Sequence, residues 1–158
     1  MCGWLNTSDS SARSAAVAAA DLLDGLRTQP LLAVLRPQSA AQARHQLGQL
    51  EATGLVHVEL AIELSASWVE MVQGLCSEFP TLRFGAASIR CRTGLQAASA
   101  AGLRYAVSPI LDASLLACAS ALGMVLVPGV FTPTEMDQAQ RLGVAALKLF
   151  PAASLGPE

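Results

Sequence analysis

The sequence predicts a parallel α/β fold, and three observations carry the prediction. From residue 30 onward one rhythm repeats: a short apolar run, a helix-capping residue, an alanine- and leucine-rich stretch, then glycine. The repeat length of about 20 to 25 residues is that of a strand followed by a helix. The apolar runs are nearly continuous rather than alternating, as strands buried on both faces require. The 158 residues are 53% hydrophobic and 14% charged, enough for one well-filled domain spanning 1–158 and too few for two.

The chain opens with "SARSAAVAAADLLDGL", which predicts an N-terminal helix with Val17, Leu22, Leu23 and Leu26 available for one face. Asp21 and Asp24 interrupt its apolar stretch, so no signal peptide is expected; a transit peptide is the alternative for the Ser/Ala-rich start. Six strands follow, at "LLAVL" 31–35, "VHVEL" 56–60, "LRFGAA" 82–87, "RYAVS" 104–108, "MVLVPG" 124–129 and "VAALKLF" 144–150. Between them, Ser39 with Gln42, Ser67 with Glu70 and Thr132 with Glu135 have capping-box spacing. Pro133 suits a first helical position, and Asp112 can cap a further helix. Gly54, Gly102, Gly123 and Gly143 each precede a strand, where a left-handed helix end favours glycine.

Several function classes find no support. A net charge of −2 offers no broad basic surface for nucleic acid or an anionic membrane. No run approaches the ~18 apolar residues of a membrane span. Cys2, Cys76, Cys91 and Cys118 form no C-x-x-C pair and lie far from His45 and His57, so no clustered metal site is expected. Cys76 and Cys118 read as small buried hydrophobes, in keeping with a reducing, cytoplasmic compartment. The loop after the first strand, "RPQS", lacks G-x-G-x-x-G, which argues against a dinucleotide-binding open sheet.

Lys148 is the only lysine; arginine serves everywhere else. In an apolar strand it shares a face with Ala146 and Phe150. There it loses hydration, which disfavours the ammonium and favours the neutral amine that attacks carbonyls. The alternative is a strand-end lysine whose charge snorkels into water. Glu59 is the one carboxylate in "VHVEL". It reads as a general base in a partly dry pocket, or as an acid paired with an arginine. Arg36 closes the first strand, where it can grip a carboxylate or phosphate or form a surface salt bridge. Arg36, Glu59, Ser88, Pro109 and Lys148 all fall at or just past the C-terminal ends of successive predicted strands. A barrel brings those ends to one mouth, whereas an open sheet spreads them along a line, so the convergence favours the barrel.

The segments "LLAVLR", "VELAIE", "FGAASI", "AVSPIL", "VPGVFTPTE" and "ALKLFPAASLGP" resemble, in order and spacing, the signature segments of the 2-keto-3-deoxy-6-phosphogluconate and 4-hydroxy-2-oxoglutarate (KDPG/KHG) aldolase family. The resemblance runs from about residue 25 to the end and looks closest to the 2-keto-3-deoxy-6-phosphogalactonate branch, through the final motif. It implies a (β/α)₈ TIM-type barrel, usually trimeric, with cofactor-free and metal-free class I chemistry on a small keto acid. It further implies that Lys148 is the Schiff-base residue and Glu59 the proton shuttle. By the same resemblance Arg36, Ser88 and Pro109 line the substrate pocket.

Three departures from that family bear on function. Ala87 and Ser88 stand where glycine and threonine are common, which keeps a hydroxyl but adds a methyl. Glu63 stands four residues after Glu59, where arginine or asparagine is common, and an acid there repels an anionic substrate tail. The family's seventh and eighth βα units, with their phosphate-binding loops, have no counterpart in these 158 residues. The expected architecture is therefore about six βα units behind an N-terminal helix. It is expected to act as a pyruvate-forming aldolase or, alternatively, as a non-catalytic barrel piece serving as a binding or assembly partner.

Overall fold

A computed structural model describes residues 7–152; Cys2 and the end of the final motif, 153–158, lie outside the described residues. Helix α1, Thr7–Thr28, comes first. Strand β1 (Leu32–Leu35), α2 (Ala40–Ala52), β2 (His57–Ala61), α3 (Ala66–Glu78), β3 (Arg83–Ala87) and α4 (Arg92–Ala100) follow. Then come β4 (Tyr105–Val107), α5 (Ala113–Ala121), β5 (Val125–Val127), β6 (Gly129–Val130), α6 (Pro133–Arg141) and β7 (Lys148–Leu149). All strand pairings are parallel, in the order β1-β2-β3-β4-β5, with β6 paired to β7. The single expected fifth strand is divided by Pro128, which has no N–H to give the ladder. The Pro128 carbonyl still accepts from Lys148 N at 2.9 Å, so the wall of parallel strands runs on through β6 to β7.

The helix starts follow local chemistry, with two changes from expectation. Thr132 and Glu135 form the full capping box, with Pro133 in the first turn. Asp112 caps α5 by accepting from the backbone N–H groups of Ser114 and Leu115. Ser39 caps α2, but the Gln42 side chain accepts from Gln38 N rather than completing the box at Ser39. The Ser67–Glu70 box does not form: Ser65 is the cap, accepting from Trp68 N at 3.2 Å, and Ser67 lies inside the first turn. Buried Trp68 fixes this start, because its indole Nε1 donates to the Ala61 carbonyl at the end of β2. Gly54, Gly102, Gly123 and Gly143 all have positive φ, as left-handed helix ends require.

Strand residues alternate between two apolar cores. Val58, Leu60, Phe84, Ala86, Ala106 and Leu126 face α2–α5 and form the larger one. Each of its fully buried leucines contributes roughly 1.5–3 kcal/mol by leaving water. Cys76 and Cys118 are half-buried against this cluster, close to their expected role. On the other face, Tyr105, Val107, Val125 and Val127 pack under Ala18 and Leu22 of α1. Helix α1 therefore presents Ala18 and Leu22, whereas Val17 is 48% exposed.

The sixth expected strand, 144–150, is the largest correction. Only Lys148–Leu149 is strand; Lys148 is half-buried and Leu149 and Phe150 are exposed. Among the described residues β7 has a strand partner on one side only, so apolarity there does not mean burial on both faces. No helix among the described residues is long and apolar enough to cross a membrane.

Candidate active site

The strand registers set out the site in rungs. Val34 pairs with Glu59, and Glu59 with Gly85. The Ala86–Ala106 pairing puts Tyr105 beside Gly85, and Tyr105 in turn pairs with Val125. Period-two alternation then puts Val34, Glu59, Gly85, Tyr105 and Val125 on one inward-facing rung. Leu32, His57 and Arg83 form the rung beneath.

Glu59 is 2% exposed. Burial disfavours its charged form and pushes its pKa up to about 7; the charges of Lys148 and Arg36 pull the other way. Lys148 and Arg36 thus share an electrostatic site with Glu59, although Arg36 is itself exposed. Lys148 carries its ammonium 5.0 Å from the centroid of the Phe150 ring, so the two side chains share a face, as expected of residues two apart.

Ser88 and Pro109 reach the same end of the sheet by backbone geometry. Ser88 has φ 64, a left-handed conformation rare for a residue with a Cβ. It is pinned from both sides: the Ala87 carbonyl accepts from Ile62 N at 3.0 Å, and Ile89 N donates to the Val107 carbonyl at 3.1 Å. Strained residues of this kind concentrate at functional sites. Pro109 lies against Gly129, where a Cβ would come within 2.5 Å of the Pro109 carbonyl. Gly129 is the register partner of Lys148, so this close approach sets Pro109 near the base of the lysine.

Two features escape a reading of sequence alone. Tyr105, the only tyrosine, is 6% exposed on the Glu59 rung, and its hydroxyl has no hydrogen-bond partner among the described residues. Its signal was a lone aromatic hydroxyl in an apolar strand, legible only once the register set it beside Gly85. A cleft of about 470 Å³ lies at the opposite, N-terminal ends of β2–β4. Asp21, His57, Arg83, Arg104 and Tyr105 line it, away from the strand ends that carry Arg36, Ser88 and Lys148, so Tyr105 lies between this cleft and the rest of the Glu59 rung. His57, 2% exposed there, bonds to the Gly25 backbone; burial lowers its pKa, and Arg83 adds to that. Among the described residues no group of His, Cys, Asp and Glu is arranged to hold a metal ion.

A parallel wall with a buried carboxyl, a lysine and an arginine toward its C-terminal strand ends is the kind of arrangement on which parallel α/β barrels build their sites. The model of the KDPG and KHG aldolase family matches residues 23–157, and the chain belongs to that family. Its fold is the TIM-barrel type of the KDPG aldolases. The chain is 31% identical over 129 residues to a probable 2-dehydro-3-deoxy-6-phosphogalactonate aldolase of Rhizobium meliloti (strain 1021), covering 82% of this chain and 61% of the relative. A native KDPGal structure superposes with a TM-score of 0.71 at 27% identity, over 81% of this chain and 62% of that one. KDPG aldolase from Legionella pneumophila, with pyruvate captured at low pH as a covalent carbinolamine intermediate, gives a TM-score of 0.72 at 26% identity, over 80% and 61%. The chain thus spans about three-fifths of the length of these relatives, 61% of the first.

Proposed function

We propose that this chain performs class I aldolase chemistry on a 2-keto-3-deoxy or 4-hydroxy-2-oxo acid, releasing pyruvate and an aldehyde. The observation that carries the proposal is the buried carboxyl of Glu59, with its raised pKa, under the charges of Lys148 and Arg36. In this reading the Lys148 ammonium passes its proton to the Glu59 carboxylate, the freed amine adds to the C2 carbonyl of the substrate, and Glu59 returns the proton as water leaves to give an iminium. The C3–C4 bond then breaks. Its electron pair flows toward the iminium to give an enamine, while Glu59 takes the proton of the C4 hydroxyl and the aldehyde departs. Protonation at C3 and hydrolysis return pyruvate and the free amine. Glu59, with a pKa near 7, is suited to both giving and taking protons at neutral pH. Arg36 and the Ser88 hydroxyl would hold the substrate's anionic and polar groups, and Pro109 would line the pocket. No cofactor or metal takes part in these steps.

The family supports a small keto acid as partner rather than nucleic acid or membrane, and a place in carbohydrate metabolism. We further propose a cytoplasmic location, a trimeric assembly, and a single domain over 1–158 that corresponds to the family's barrel without its last two βα units. A second reading is favoured by the sheet edges: β1 and β7 each lack a strand partner on one side among the described residues, and Val34, Leu149 and Phe150 are exposed there. Such edges favour association with another chain, so the piece would serve as a binding or assembly partner without catalysis.

Borohydride reduction in the presence of pyruvate separates the two readings. Reduction of an imine fixes pyruvate on the protein, and peptide mapping assigns the adduct to Lys148, since the only other amine is the N-terminus. The aldolase reading expects an adduct at Lys148, and its absence from the folded protein sinks that reading. Light scattering then gives the assembly: a monomer at working concentration removes the trimer and self-association through the sheet edges.

A further inference from the structure

Gly85 separates Glu59 from Tyr105 on their shared rung, and it has no side chain to fill the gap. A Cβ on Gly85 would overlap the Tyr105 ring at Cζ and both Cε atoms. The far end of the tyrosine ring therefore lies flat across the Gly85 backbone, on the inward face, toward the strand that carries Glu59. Two strand spacings are about 10 Å, a distance that a tyrosine and a glutamate reaching toward each other span with one water between them. The Tyr105 hydroxyl is buried and has no partner among the described residues, and leaving such a group unmatched is costly. Burial, and after it the negative charge of Glu59, disfavours phenolate and leaves the hydroxyl a donor.

We propose that Tyr105 is a positioning residue for the reaction: its hydroxyl is linked to the Glu59 carboxylate through one bridging water, which holds that carboxylate toward the Lys148 side of the mouth. The inference rests on the aldolase reading only for its consequence in turnover; the link itself is a property of the free protein. The other groups around Glu59 are Arg36 from the end of β1 and Lys148 from β7, both favouring the carboxylate. Strand β3 offers only Gly85 on that rung, and His57 and Arg83 lie on the rung beneath. Tyr105 is thus the one neutral donor on the rung.

The test is direct titration of Glu59 by ¹³C NMR in protein labelled at glutamate carboxyls, with the resonance assigned by its loss in Glu59→Gln. Tyr105→Phe keeps the ring over Gly85 and removes only the donor. The expected result is a Glu59 midpoint about one pH unit higher, a tenfold stronger hold on the proton. An unchanged midpoint overturns the inference. If Tyr105→Phe does not fold, 3-fluorotyrosine gives a single ¹⁹F probe, because the chain holds one tyrosine. Its resonance should step with the Glu59 midpoint, and the step should vanish in Glu59→Gln; a flat profile overturns the inference. In turnover, exchange of pyruvate methyl protons with deuterium should show its acidic limb moved up by the same amount in Tyr105→Phe, with KM for pyruvate unchanged. A structural role alone would not move that limb. Failure of imine trapping would remove the aldolase reading and leave the carboxyl titration standing. An unmoved titration with normal trapping would remove only the role of Tyr105.

Discussion

The charge of Lys148 on β7 reaches the carboxyl of Glu59 on β2 although four strand-to-strand steps separate them through the sheet. In a flat sheet those steps would put them about 19 Å apart, beyond the ~10 Å over which exposed charges in ordinary salt still feel one another. Curvature of the wall brings them together, and the twist of parallel strands is its source. Loss of the Lys148 charge should therefore be felt at Glu59. In Lys148→Met the Glu59 midpoint should rise above its starting value of about 7, because a charge that lowers it is gone. Carboxyl NMR titration reads the shift, and a midpoint that stays or falls contradicts the arrangement.

Glu59 should make the protein less stable as pH rises. Its pKa climbs from the ordinary 4.5 to about 7 on folding, so between those values the folded state holds the proton more tightly. The stability it confers is complete below pH 4.5 and is lost as pH rises through about 7. By linkage the full effect is on the order of 3 kcal/mol. Glu59→Gln should thus gain stability over the parent between pH 5 and pH 8, measured by urea denaturation at both. His57 works in the opposite sense, since its lowered pKa favours unfolding as pH falls through and below its ordinary 6.5. The parent-to-variant difference isolates Glu59 from this background.

In turnover, Glu59→Gln should lower kcat by about 10²- to 10⁴-fold and leave pyruvate binding nearly intact, because the amide keeps the shape and loses the basicity. Steady-state cleavage of 4-hydroxy-2-oxoglutarate beside a pyruvate binding isotherm makes the comparison. Equal rates for parent and variant would reduce Glu59 to a structural acid.

Gly85→Ala should be costly despite adding one methyl. The new Cβ meets the Tyr105 ring inside a packed core, and overpacking of that kind costs about 1–3 kcal/mol. Pairing it with Tyr105→Leu should recover much of the loss, so the double variant should be more stable than the sum of the singles predicts. Strict additivity in chemical denaturation would place the ring elsewhere.

Glu63 is exposed two residues beyond β2 and forms no ion pair among the described residues. Its charge is therefore free to repel an anionic substrate tail. Glu63→Asn should improve KM for a phosphorylated keto-deoxy sugar acid by roughly threefold at low salt, with the gain shrinking as ionic strength rises. KM for 4-hydroxy-2-oxoglutarate should change less. A gain that ignores salt would point away from charge repulsion.

Much of this molecule is local chemistry, and local chemistry is written in the sequence. The alternation of strand and helix, the caps at Thr132 and Asp112, and the four left-handed glycines follow from residues within a few positions of each other. The unusual standing of Lys148 and Glu59 was equally plain, because a charge in an apolar run is conspicuous without coordinates. Tertiary structure alone decided the rest. Whether Lys148 is buried depends on which strands flank β7, and it is half-buried with its ring neighbour Phe150 exposed. The start of α3 moved to Ser65 because Trp68 binds a carbonyl on β2. Tyr105 joined the Glu59 rung through registers across three strands and through the space left at Gly85. Register and curvature couple residues far apart in the chain. No window of sequence contains both partners, so such relations are fixed only when the strands assemble into the curved wall.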